Sequence, residues 1–251
     1  MIALIAVAHG SRDPRSARVI TAAVDALRRA RPDLDVRPAF LDLTAPSVDQ
    51  VVDGVAADGY RAAVMVPMLL GSAFHAKVDL PALLASARSR HPYLAITQAA
   101  VLGRDPRLVT AVRDRILETG VRQGDPTVGV ALAAVGSSQE QANADTAAVT
   151  DDLAAGTAWA GVEICFATST TPSVSDAIAD LRARGATRVV VAPWFLAPGL
   201  LTDRLGNAAA DAHPGALFAD TIGAHPLLVE TMLDRFRQAI STSLTHIRAS
   251  A

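Results

Sequence analysis

Two histidines and one aspartate stand where their side chains can do chemistry together. His9 follows the uncharged run Leu4-Ile5-Ala6-Val7-Ala8 and opens His9-Gly10-Ser11-Arg12. Such a run reads as a buried parallel strand, so His9 lies where that strand leaves the sheet. Asp42 ends Phe40-Leu41-Asp42 at the close of a second strand, and His75 lies in the loop after a third. In open α/β sheets ligands bind just outside the carboxyl ends of the strands, and right-handed connections bring these three ends to one edge. Two imidazoles and a carboxylate suit a borderline divalent metal such as Fe, Co, Ni or Zn. They also suit proton transfer near neutral pH.

Four polar residues flank the histidines: Ser11, Arg12, Arg15 and Lys77, the chain's sole lysine. They suit an anionic substrate, because charge-assisted bonds to carboxylates are the strong ones. Arg204 lies near the matching loop of the second half and is placed at the same cleft. Each site residue also has a structural alternative when taken alone. His9 fits a satisfied, partly buried histidine, Asp42 a turn carboxylate near Thr44 and Pro46, and His75 a helix cap.

The elements that position these residues alternate strictly. Strands are expected at 2–8, 36–41, 62–66, 94–97, 128–135, 162–166, 188–192 and 216–219. Helices are expected between them, at 14–29, 46–58, 81–90, 106–117, 139–154, 172–184, 200–212 and 226–245. Prolines at 14, 46, 81, 106, 172 and 226 open or enter most of them. The alternation predicts an α/β fold of two tandem Rossmann-like domains, each a mainly parallel four-stranded sheet flanked by helices.

Two domains are expected because the chain repeats itself. A shift of 126 residues lays Gly10-Ser11 on Gly136-Ser137, Pro46-Ser47-Val48 on Pro172-Ser173-Val174, Gly59 on Gly185 and Pro67 on Pro193. After short deletions, His91-Pro92 falls on His213-Pro214, and Gly103, Pro106 and Arg115 fall on Gly223, Pro226 and Arg235. Glycine and proline mark backbone positions with special requirements, so their order traces a duplication. The expected boundaries are 1–122 and 123–251. The same shift lays His9 on Val135, Asp42 on Thr168 and His75 on Leu201. A purely structural need would keep these residues in both halves, so the asymmetry favours a chemical site in the first.

Composition narrows the function further. The net charge of -2 implies no nucleic-acid or membrane partner. The single Cys165, between Ile164 and Phe166, rules out an intrachain disulfide and reads as a buried strand thiol. No apolar run spans a bilayer and no cleavable leader is evident, so a soluble cytoplasmic protein is expected. The P-loop, the dinucleotide fingerprint, the H-E-x-x-H pair and the nucleophile elbow are all absent from the sequence.

The strand-His-Gly-Ser-Arg opening, Phe40-Leu41-Asp42-Leu43 before Pro46-Ser47, Val66-Pro67-Met68-Leu69-Leu70 and Phe74-His75-Ala76-Lys77-Val78-Asp79-Leu80-Pro81 resemble the class II tetrapyrrole chelatases. More narrowly they resemble the sirohydrochlorin ferrochelatases and cobaltochelatases, and the resemblance covers nearly the whole chain. It implies two Rossmann-like domains around a cleft. It implies ATP-independent insertion of a divalent metal into sirohydrochlorin, in sirohaem or cobalamin biosynthesis, with Fe2+ favoured and Co2+ the second candidate. His9 and His75 match the family's paired histidines, and Asp42 stands where many members have a glutamate. The metal is then a substrate, with no permanently bound cofactor. The fused duplication makes a monomer the expected state. A metal carrier or sensor that uses His9, Asp42 and His75 without chemistry is the alternative.

Overall fold

A computed structural model describes residues 2–71, 80–168 and 171–249; His75 and Lys77 lie outside the described residues. The elements run β1 (Ile2–Ala8), α1 (Pro14–Ala30), β2 (Val36–Phe40), α2 (Val48–Ala57), β3 (Ala62–Pro67), α3 (Leu80–Arg90), β4 (Ala95–Gln98) and α4 (Pro106–Glu118). They continue with β5 (Val128–Ala134), α5 (Glu140–Ala147), α6 (Val149–Ala154), β6 (Gly161–Phe166), α7 (Val174–Ala183), β7 (Arg188–Pro193), α8 (Leu200–Ala212), β8 (Leu217–Phe218) and α9 (Pro226–Ala249). One sheet has the order β2-β1-β3-β4 and the other β6-β5-β7-β8, and every pair is parallel. The α/β fold with two four-stranded sheets is the one expected. The central strands β1 and β5 are buried almost throughout, as sheets covered on both faces require.

The chain divides into two compact units, Met1–Gly103 with Ala224–Ala251, and Arg104–Gly223. These are not the halves 1–122 and 123–251 expected from the repeat, because each repeat gives its last helix to the other unit. In the first unit α2 and α3 cover one face of the sheet through Val48, Val52, Val55, Leu80 and Leu84. The other face packs against α1 and the distant α9. In the second unit α7 and α8 cover one face, and α4 packs against β7 and α6 on the other. In the second unit α4 lays an apolar stripe against its neighbours. It buries Leu108, Val112 and Ile116 completely or nearly so, which contributes on the order of 5–9 kcal/mol. Two matched arginines secure the exchange. Arg115 Nη2 donates to the Ile222 carbonyl at 3.1 Å. Arg235 Nε and Nη2 donate to the Val101 and Leu102 carbonyls, both at 2.9 Å.

Other boundaries differ from expectation for local reasons. Helices α2 and α7 begin two residues after Pro46 and Pro172, because Ser47 and Ser173 are the N-caps. Ser47 Oγ accepts from the Gln50 amide while Gln50 returns a bond to the Ser47 amide. Ser173 and Asp176 make the same reciprocal pair, which satisfies two orphan donors at each helix start. The preceding peptides, Ala45-Pro46 and Thr171-Pro172, are both cis. The single helix expected over 139–154 is two, divided at Ala148, and β8 is shorter than the expected strand. Cys165 is buried as expected, and burial pushes its thiol up to about 12. Among the described residues no helix is long and apolar enough to cross a membrane.

Candidate functional site at the carboxyl end of β1

The sheet order β2-β1-β3-β4 reverses direction at β1, where α1 leads to one neighbour and the later connection to the other. Ligands of open α/β sheets bind at such a switch point. His9 is the first residue past β1 and is exposed. Asp42 is also exposed, two residues past β2. Parallel pairing continues beyond both strands and sets the two residues abreast. The Leu41 amide donates to the Ala8 carbonyl and the Asp42 amide to the His9 carbonyl, both at 2.9 Å. On the other side of β1, the Met68 amide donates to the Val7 carbonyl at 2.8 Å. That bond holds the first residue past β3 against β1; His75 lies outside the described residues.

Gly10 makes this close approach possible. Its φ is +96°, and a Cβ built there would lie 1.8 Å from the Asp42 carbonyl oxygen. No side chain fits, and the left-handed backbone is one that L-residues avoid. Leu43, next to Asp42, holds φ +60° with a β-unbranched but bulky side chain that is half exposed. Such a conformation costs on the order of 1–3 kcal/mol and tends to occur at functional sites. The Asp42 carboxylate accepts from the Leu43 amide at 2.7 Å, so the turn also orients the acid.

The flanking residues divide into those already engaged and those that are not. Ser11 Oγ accepts from the Asp13 amide at 3.0 Å. Asp13 is the buried N-cap of α1 and accepts from the Arg15 amide at 2.9 Å. Arg15 turns back to place its guanidinium on both Asp13 oxygens. The Arg15 guanidinium, first by side-chain bonding, holds the Asp13 carboxyl below the usual carboxylate range. Asp105-Pro106-Arg107 builds the same arrangement at the start of α4. The Asp-Pro-Arg triplet is therefore a helix-start device used twice. Its recurrence in the sequence is the signal that reveals this. Arg12 is exposed, and so is Arg204, the fifth residue of α8 in the second unit. Among the described residues neither forms an ion pair.

Thr44 is a further residue at the site, marked in the sequence only by its nearness to Pro46. Its hydroxyl accepts from the Ser11 amide and donates to the Ser11 carbonyl, each at 3.0 Å. Among the described residues no three His, Cys, Asp or Glu side chains are grouped to hold a metal ion. His9 and Asp42 are two of the three ligands expected there, and His75 falls outside.

The second unit repeats this framework without the imidazole or the acid. The Ala167 and Thr168 amides donate to the Ala134 and Val135 carbonyls at 2.8 and 3.2 Å. The Trp194 amide donates to the Ala133 carbonyl at 2.7 Å. Gly136 has φ +89° against +96° at Gly10. Val135, in the position of His9, is an apolar side chain 44% exposed.

The profile of the CbiX family matches residues 3–119 and again 129–239. The sirohydrochlorin cobaltochelatase of Priestia megaterium is 27% identical over 251 residues, covering 96% of this chain and 80% of that protein. The sirohydrochlorin ferrochelatase of the same organism is 27% identical over 249 residues, covering 96% and 92%. The solved structure of SirB from Bacillus subtilis with Fe3+ superposes with a TM-score of 0.82 at 25% identity, covering 97% of each chain. A cobalt complex of SirB from Bacillus subtilis subspecies spizizenii shares the fold, with a TM-score of 0.76 at 23% identity and coverage of 95% and 94%. With both repeats matched by one profile, the chain belongs to the CbiX family.

Proposed function

We propose that this protein inserts a divalent metal into sirohydrochlorin without ATP, with Fe2+ the favoured metal and Co2+ the second. The observation that carries the reading is the pairing of His9 with Asp42 at the switch point of one repeat, where the other repeat keeps the turn and has Val135 and Thr168. Relatives that share almost the whole chain bear the names sirohydrochlorin ferrochelatase and cobaltochelatase. The reaction exchanges one M2+ for two pyrrole N–H protons. A neutral imidazole accepts a proton near physiological pH, and His9 is the described residue able to do so at this edge. His9, His75 and Asp42 would hold the metal loosely, since tight binding would oppose its transfer to the macrocycle. Ser11, Arg12, Lys77 and Arg204 would meet the substrate's carboxylates. Arg15 would join them only by leaving Asp13.

The same reading makes the protein a monomer, because one chain already contains both repeats, and places it in the cytoplasm as a biosynthetic enzyme. The test is to mix protein, sirohydrochlorin and Fe2+ or Co2+ without oxygen and follow the visible spectrum. Acceleration over the uncatalysed rate is the expected result. Metal binding with no acceleration would leave a carrier or sensor in its place.

A further inference from the structure

We propose that Thr44 is a positioning residue for His9, an inference that rests on the function proposed above. His9 and Ser11 flank Gly10, whose φ of +96° lies in a region open chiefly to glycine. Glycine alone would let the strand end swivel. The backbone is instead tied on both sides of it. Before Gly10, the His9 carbonyl accepts from the Asp42 amide at 2.9 Å. After Gly10, one Thr44 hydroxyl accepts from the Ser11 amide and donates to the Ser11 carbonyl. Both ties come from residues 42–44, the loop that carries Asp42. The hydroxyl therefore joins the turn of the imidazole to the loop of the carboxylate.

The second unit ties its matching turn by a side chain as well. There the Asn143 amide group accepts from the Ser137 amide and donates to the Ser137 carbonyl, both at 2.8 Å. A shift of 126 residues puts Ala17 at the Asn143 position, and alanine can make neither bond. In the unit that carries His9 the work falls to Thr44. A backbone amide and carbonyl both need partners when water is displaced from them by substrate.

The experiment compares Thr44→Val, which keeps the shape and removes both bonds, with Thr44→Ser, which keeps the hydroxyl. Metal insertion gives kcat and KM, and proteins carrying 13C-labelled histidine give the ring signals of His9. Thr44→Val is expected to lower kcat between about tenfold and a hundredfold, the scale of a misplaced catalytic group, with KM for sirohydrochlorin little changed. Its His9 signals should move while those of His91, bonded to Asp53 at 2.6 Å, stay in place. Thr44→Ser should restore both. If Thr44→Val loses signal dispersion throughout, Thr44→Ala is read in the same way. Wild-type turnover in the folded variant, or unmoved His9 signals, overturns the proposal. An inactive wild-type protein would instead refute the chelatase reading, and the His9 signals would still decide whether Thr44 holds the imidazole.

Discussion

Replacing Gly10 by alanine probes the geometry on which the site depends. An ideal Cβ at Gly10 falls 1.8 Å from the Asp42 carbonyl oxygen and 2.9 Å from its carbon. Ordinary contacts of that kind exceed 3 Å, so the loop holding Asp42 must retreat by more than an ångström. The φ of +96° adds about 1–2 kcal/mol for an L-residue. With the broken contacts, a loss of about 2–4 kcal/mol is expected. At a few degrees for each kcal/mol, Tm should fall by roughly 5–15 °C. Turnover should fall by at least about a hundredfold, because His9 and Asp42 would no longer stand abreast. Gly136→Ala is the matched control, with φ +89° in the repeat that lacks the histidine. It should lower Tm and leave turnover in place. Calorimetry and the sirohydrochlorin assay read the two variants side by side. A Gly10→Ala protein as stable and as active as wild type would refute the reasoning.

Arg12→Ala and Arg204→Ala should each raise KM for sirohydrochlorin about tenfold with kcat nearly unchanged, the signature of lost uniform binding; steady-state kinetics decide this, and unchanged KM would remove both from the site. Asp105→Ala removes the cap of α4 and should cost about 1 kcal/mol in urea denaturation. For Asp13 the folded pKa lies below the unfolded value because Arg15 bonds it. Its stabilisation is therefore complete above about pH 4 and is lost as pH falls through the folded pKa. Asp13→Asn should flatten the acid limb of the stability profile, and an unchanged limb would show that the pair contributes nothing.

Much of this molecule is legible in the sequence because its backbone requirements are written in glycine and proline. Gly10 and Gly136, and Pro46 and Pro172, match in order, and they match again in φ and in peptide geometry. Uncharged apolar runs locate β1 and β5, since a strand covered on both faces has no room for charge. The exchange of α4 and α9 between units is not legible. Both helices carry an apolar stripe, and a stripe does not say which of two similar sheets it will cover. The capping serines after Pro46 and Pro172 were visible, and they moved the helix starts by two residues. At the site, His9 and Asp42 are legible as polar residues at strand ends. The engagement of Arg15 is legible only in the repeated triplet Asp-Pro-Arg at 13–15 and 105–107, not in the charge of the residue alone. Thr44 was not legible as a tie, because its partners are backbone atoms more than thirty residues away.

The central claim is that the imidazole at the end of β1 takes part in metal insertion. Rates of Co2+ and Fe2+ insertion into sirohydrochlorin by His9→Ala, beside wild type and with folding checked by circular dichroism, test it most directly. Loss of the enzymatic acceleration in a folded His9→Ala protein is the predicted result. A folded His9→Ala protein that inserts metal at the wild-type rate would contradict the account.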